Sequence, residues 1–336
     1  MAEYREIQGA AVQSLASSTG TIEGQIWYDN VNGAFKLESV ATASSWASGA
    51  STPVGTSQGA AAGTYLAGIM FGGNTPAAPS PLSTQSLTYN GSSWTATSSL
   101  NTGRGGIASA NRGTENSTLA FQGNTDNGPT YASNLSEEWN GSTWAAVNTV
   151  NTPSSLAGGT GIVTAALCVG GELAGPAYGN SSRTEEYDGT CWAAQTGRPA
   201  SIRNHSLFGP QNDAISCMGI DYTTTAQEWS GTAWTAGGVN NTARRGTNDG
   251  TGSGTAGLVA GGQAPGSPAG ITATELYDGT SWTSSPASLS TGKFDCATFG
   301  TDANAVSATG RTPTALTTVE EWTGIGAPTT QTLTTT

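Results

Sequence analysis

The chain has 336 residues, 48 of them glycine, with 35% hydrophobic and only 10% charged side chains; 23 acidic against 11 basic residues give a net charge of −12. That balance repels phosphate backbones, and no run of Lys or Arg works locally against it, so binding to nucleic acid or to an anionic membrane is not expected. Ten tryptophans in step with a repeat argue for a packed all-β protein rather than a low-complexity chain.

In chain order, residues 1–24 contain neither a signal-peptide pattern nor a membrane-length apolar run, as expected of a protein made in a cytosol. Polar and rich in Gly and Ser after Ile7, they read as an arm that anchors the chain to a neighbour. Residues 25–53 read as a hairpin and a closing segment. The hairpin spans TIEGQIWYDNVNGAFKLE at 21–38, with Val31-Asn32-Gly33 in its turn, and Trp46 follows with no aromatic partner five residues earlier.

A repeat governs residues 54–336. Tyr89, Trp139, Tyr187, Trp229, Tyr277 and Trp322 are each followed by a small polar residue and a glycine, at spacings of 50, 48, 42, 48 and 45 residues. Five copies end in a tryptophan (Trp94, Trp144, Trp192, Trp234, Trp282); the sixth has Ala327 there. Such a period means stacked copies of one supersecondary unit. Asn-Gly and Asp-Gly between aromatics predict a hairpin with a type I′ turn, the third and fourth strands of each unit. The second strand is the apolar run ending in glycine upstream: 66–73, 118–123, 165–171, 214–219, 256–262 and 305–310. The first is a stretch of very small residues: 58–63, 105–110, 156–161, 204–209, 247–252 and 295–300. Small residues innermost and tryptophan outermost suit strands converging on an axis, a gradient that a flat sandwich gives no reason for. The fold class expected is all-β, a six-bladed propeller with four antiparallel strands per blade, closed by strand material from a chain terminus. Because the sixth copy lacks its outer Trp, closure falls either to the N-terminal segment around Ser44–Ala47 or to the Thr-rich stretch at 330–335; an exposed Trp46 remote from the last blade would exclude the former.

Glu137-Glu138-Trp139, Glu185-Glu186-Tyr187, Gln227-Glu228-Trp229, Glu275-Leu276-Tyr277 and Glu320-Glu321-Trp322, each with a glycine-ended strand upstream and, in the first four, Trp five residues on, resemble the kelch repeat. Arg104, Arg244 and Lys293 look like that repeat's basic position before the first strand. The first repeat departs, with Leu87-Thr88 where acids belong, and the linking loops at Pro53 and Pro153 lack the Arg. GQIWYDN followed by a turn and Phe-Lys resembles the start of modules in bacteriophage tail fibres and related virion proteins. The Glu321–Pro328 ending is similar to the close of kelch-type proteins of marine phages. The resemblance implies a virion protein.

Antiparallel order puts the long second-to-third-strand loops (74–81, 124–134, 172–182, 263–273) and the blade-linking loops on one face, where recognition is expected. The linking loops carry Arg104, Arg198, Arg203, Arg244, Arg245 and Lys293, the candidate ligand-binding residues. The competing reading is that each pairs with a neighbouring blade's glutamate or with backbone carbonyls. Kelch copper oxidases need His, Tyr and Cys ligands, and a lone His205 makes no transition-metal site. Asp188-Gly189-Thr190 and Asp278-Gly279-Thr280 lack the Asp-box spacing of sialidases, and no carboxylate pair breaks the repeat symmetry as a glycosidase site would. Cys168, Cys191, Cys217 and Cys296 show no CxxC spacing and read as free thiols.

The expected function is a non-enzymatic phage virion structural protein without cofactor, a tail fibre or appendage whose long-loop face binds a host-surface glycan or protein. The N-terminal region would join other virion proteins, in several copies per particle. The alternatives are a capsid decoration or adaptor protein with a purely architectural role, and a cellular kelch module gripping a protein partner.

Overall fold

A computed structural model describes residues 13–15, 25–40, 43–76, 82–126, 132–174, 179–246, 250–326 and 328–333, and among them there is no helix. The strands form eight sheets, seven of four strands and one of three. The described residues divide into two compact units, one drawn from 1–44 and 323–336 and one from Ser45–Trp322.

The larger unit holds six four-stranded antiparallel sheets. The first contains Ala60–Thr64, Ala67–Phe71, Ser86–Tyr89 and Trp94–Thr97; the second, Ala108–Ser109, Thr118–Phe121, Ser136–Trp139 and Trp144–Val147. The third contains Gly158–Ile162, Ala165–Val169, Thr184–Tyr187 and Trp192–Gln195; the fourth, Ser206–Phe208, Ala214–Cys217, Thr225–Trp229 and Trp234–Val239. The fifth contains Thr251–Ser253, Ala256–Ala260, Thr274–Tyr277 and Trp282–Ser284. The sixth takes Ala297–Gly300, Asn304–Ala308 and Val319–Thr323 in order, and its fourth strand is Ser45–Ser48 from the other end of the chain.

Trp46 therefore stands where the sixth copy lacks its tryptophan. Its ring lies 5.3 Å from that of Trp322, and its indole N–H donates to Thr274 Oγ1 at 2.9 Å. Trp144 and Trp234 make the equivalent bond to Ser86 and Thr184, the residues that open the third strand of the preceding sheet. The C-terminal stretch goes elsewhere: Pro328–Leu333 pairs with Ala34–Val40 in the smaller unit. There Ile26–Asp29 and Ala34–Val40 form the expected hairpin, with Asp29 Oδ1 accepting the backbone N–H of Val31 and Asn32 across the turn. Gln13–Leu15 pairs parallel to Ile26–Asp29. The rest of the 1–24 arm and Ala327 lie outside the described residues, as do 77–81, 127–131, 175–178 and 247–249 within the expected loops and strands.

Packing follows the size gradient. First strands lie against one another from each sheet to the next, and that of the sixth lies against that of the first. A Cβ on Gly159 would sit 2.5 Å from the Ser109 carbonyl oxygen of the preceding sheet, so only glycine permits that approach. Farther out aromatics fill the gaps edge to face, as Phe71 does with Trp144 at 4.8 Å and Phe121 with Trp192 at 4.9 Å.

The third-to-fourth-strand turns differ from the type I′ expectation. Tyr89 pairs with Trp94, which leaves four residues in the loop, and only Gly91 has positive φ. Asn90 keeps an ordinary backbone, and its side-chain oxygen accepts the N–H of Ser92 and Ser93 at 3.0 and 2.9 Å. The asparagine is chosen for that side-chain bond, not for a left-handed backbone.

Candidate functional site

Two belts of backbone hydrogen bonds frame the long-loop end of the larger unit. In the first, Gly73, Gly123, Gly171, Gly219, Gly262 and Gly310 close the second strands and donate to Arg104, Ser154, Ile202, Arg244, Lys293 and Thr56 of the next sheet, at 2.8–3.1 Å. Left-handed φ at these glycines turns each N–H outward. In the second, Gln58, Gly106, Leu156, Asn204, Gly246 and Asp295 just before the first strands all have positive φ. Each donates its N–H to the carbonyl of the one before it, and Gln58 donates to Asp295, closing a cycle of six bonds at 2.5–3.0 Å. Four of these six are not glycine, so the strain is outweighed by bonds that only this geometry allows.

Inside this cycle lies a cavity of about 240 Å³. Its charged lining is Arg203, Arg245, Arg311, Glu172 and Asp295, with Gln58, Asn204 and Gln263 between them. Arg203 pairs with Glu172, and Arg311 pairs with Asp295 at 2.7 Å while its guanidinium lies 4.7 Å from the centre of the Phe294 ring. Arg245 donates Nε–H to Gln263 Oε1 at 2.9 Å and sits over Tyr222, with no ion pair among the described residues. The lining thus carries one more positive than negative charge in a chain of net charge −12. Burial holds the Asp295 carboxyl above its ordinary pKa against the pull of Arg311. Burial and the neighbouring Arg245 lower the pKa of Arg203.

The opposite end of the axis is blocked. Asn111, beyond the first strand of the second sheet, donates to the carbonyls of Leu207 and Gly250 in the fourth and fifth sheets and accepts from Thr160 in the third. Arg112 beside it reaches the Gly252 carbonyl. These side chains thus tie the second sheet to the third, fourth and fifth. The cavity inside the hydrogen-bond cycle is a cup open on the long-loop side. A hollow of about 380 Å³ at the blocked end has Arg112 as its single charged lining residue.

The six expected basic residues divide in two. Arg203 and Arg245 line the cup, and Arg311, which sequence reasoning missed, completes the set. Arg104, Arg244 and Lys293 are correctly read as equivalent positions, but each is 0% exposed and presents nothing to a ligand. Arg104 Nη2 bonds Glu137 at 2.9 Å, Arg244 Nη2 bonds Glu275 at 3.1 Å, and Lys293 Nζ lies 3.9 Å from Glu320. The partner is the third-strand glutamate of the same sheet, not a neighbouring blade's. The guanidinium also ties carbonyls of adjacent strands, Gln122 and Leu135 for Arg104. In the third sheet, where Ser154 stands in the place of the loop cation, Arg183 two residues before Glu185 supplies the charge at 2.7 Å. Arg198 is buried outside the cup.

His205 is 1% exposed with neither ring nitrogen hydrogen-bonded, and burial, aided by the charge of Arg198, takes its pKa down to about 3. The described residues contain no cluster of three His, Cys, Asp or Glu that could hold a metal ion. All four cysteines are free; Cys191 is exposed and the other three are buried.

No protein-family model matches the sequence, and no curated protein matches it. Among solved structures 296 chains match. One, described as "Structure of YjhT", superposes with a TM-score of 0.66 at 14% identity, over 84% of this chain and 99% of that one. At that identity the likeness speaks to fold alone: the chain has an all-β, β-propeller-like architecture, which by itself carries no activity.

Proposed function

We propose that the larger unit is a six-bladed kelch-like propeller closed by Ser45–Ser48, and that the protein is a non-enzymatic virion component whose long-loop face recognises a host-surface glycan or protein. The observation that carries the recognition reading is the cup: a blind polar cavity ringed by a rigid hydrogen-bond cycle and lined by Arg203, Arg245 and Arg311. Convergent polar groups in a concave, preformed site are what ligand recognition uses. Both carboxylates of the lining are engaged by arginines, which favours binding over acid–base chemistry. Support for the virion setting is the resemblance of the N-terminal hairpin to modules of bacteriophage tail fibres and related virion proteins, and of the Glu321–Pro328 ending to kelch-type proteins of marine phages; a tail appendage is the placement we favour. The architectural alternative, capsid decoration without a receptor, predicts particles labelled on the head. Immunogold labelling of virions separates the two, and a saturable binding assay of the purified protein on host cells tests recognition. Absence of saturable binding refutes it. Co-purification with a cellular partner in the absence of virions would favour the cellular adaptor instead.

A further inference from the structure

Two of the loops that link the sheets share a pattern: an apolar residue, then a cation four positions on. Leu100 precedes Arg104 and Leu289 precedes Lys293, with each apolar side chain buried and each cation answered by a third-strand glutamate. The loop before the fourth sheet inverts this order. Arg198 stands where the loops before the second, third and sixth sheets have Leu100, Val150 and Leu289 and the loop before the fifth has Asn240, and Ile202 stands in the place of Arg104, Ser154, Arg244 and Lys293. The backbone fixes the equivalence, since the N–H groups of Leu100, Val150, Arg198, Asn240 and Leu289 all donate to a carbonyl at the entry to the preceding sheet's third strand. The glutamate is missing as well. Strand register aligns Gln227 with Glu137, Glu185 and Glu275.

Arg198 is left as a buried cation without its carboxylate. It is 5% exposed; Nη1 donates to the Ala200 carbonyl at 3.0 Å, Nε has no partner, and no ion pair reaches it among the described residues. Burial lowers its pKa only to about 10, so it stays charged at neutral pH. An unpaired buried charge is strongly destabilising. Arg198 and Gln227 line one cavity of about 150 Å³ together with Ser201, Thr223, Thr225 and the exposed Asp221. That volume accommodates a small ion with a few waters.

We propose that this cavity binds a small monovalent anion, chloride or a carboxylate of formate size, which takes the place that the second, third, fifth and sixth sheets give to a glutamate carboxylate. The site is separate from the cup and independent of what the cup binds. The test is thermal unfolding of the full chain at constant ionic strength, with sodium gluconate, whose anion is too large for the cavity, replaced stepwise by chloride or formate up to 200 mM. The expected result is a saturable rise in Tm of about 3 °C, with the more effective ion identifying the preferred anion. Arg198→Leu, which restores the residue of the second and sixth loops, abolishes the response. Gln227→Glu abolishes it too and raises Tm in gluconate, because the protein then supplies its own carboxylate. A wild-type Tm indifferent to both anions, or a response of equal size in both variants, overturns the proposal.

Discussion

Arg104→Met separates a structural arginine from a recognition arginine. Removing the guanidinium leaves Glu137 Oε1 without its 2.9 Å partner in a residue 2% exposed, and frees the carbonyls of Gln122 and Leu135 that Nη1 had joined. Asn101 still holds Oε2 through its backbone N–H at 2.7 Å and its side chain at 2.8 Å, so the carboxylate stays in place but undercompensated. Breaking a buried pair from one side costs about 3–5 kcal/mol, which for a unit of this size lowers Tm by about 10 °C. Arg104→Met/Glu137→Gln recovers about half, because the stranded charge is gone while the lost carbonyl bonds are not. Arg245→Gln, at the half-buried cup wall, shifts stability by less than about 1 kcal/mol. Differential scanning calorimetry on the four proteins checks this. If Arg104→Met melts within about 2 °C of wild type, or alongside Arg245→Gln, the division of the basic residues into two classes is wrong.

Three further outcomes follow. His205 has a folded pKa depressed to about 3 from the ordinary 6.5, so its stabilising effect is complete above pH 6.5 and is lost progressively as pH falls toward 3. His205→Leu flattens the difference in urea-unfolding free energy across that window, by about 1.4 kcal/mol per pH unit at most, and an unchanged slope contradicts the burial argument. Trp46→Ala removes the contact with Trp322 and the bond to Thr274, at a cost of about 2 kcal/mol; equal urea midpoints for wild type and variant would mean that Ser45–Ser48 does not complete the sixth sheet. Of the four thiols, Cys191 alone reacts rapidly with a disulfide reagent in the native protein, because burial shields Cys168, Cys217 and Cys296 and raises their pKa; two or more fast thiols would refute that.

Much of the fold was legible because its determinants are periodic. The aromatic-x-Gly-x-x-Trp hairpins, the glycine-ended second strands and the small first strands each found their place, and the absent tryptophan at Ala327 pointed to a chain end without saying which of the two. The turn type was missed because counting Asn-Gly alone ignores the two residues that follow before Trp94 closes the pair. The cup was only half legible. Arg203 and Arg245 lie in linking loops where loop reasoning looks, but Arg311 follows a second strand, and nothing in its sequence neighbourhood marks it. The hydrogen-bond cycle was invisible, since Leu156 and Asp295 give no sign of a left-handed backbone. Arg104, Arg244 and Lys293 misled because a charged residue in a loop reads as exposed, whereas here the loop's end is folded inside the sheet.

The most direct test of the central claim, that the cup face is the one that recognises, uses cell binding with one face blocked at a time. In a Cys191→Ser background, Ala269→Cys puts a thiol in the fifth sheet's long loop and Ser142→Cys puts one in the second sheet's tight turn, both at exposed positions. Each is coupled to a bulky polyethylene glycol. The account predicts that modification at 269 abolishes saturable binding to host cells while modification at 142 leaves it intact; equal binding by the two conjugates, or loss only at 142, contradicts it.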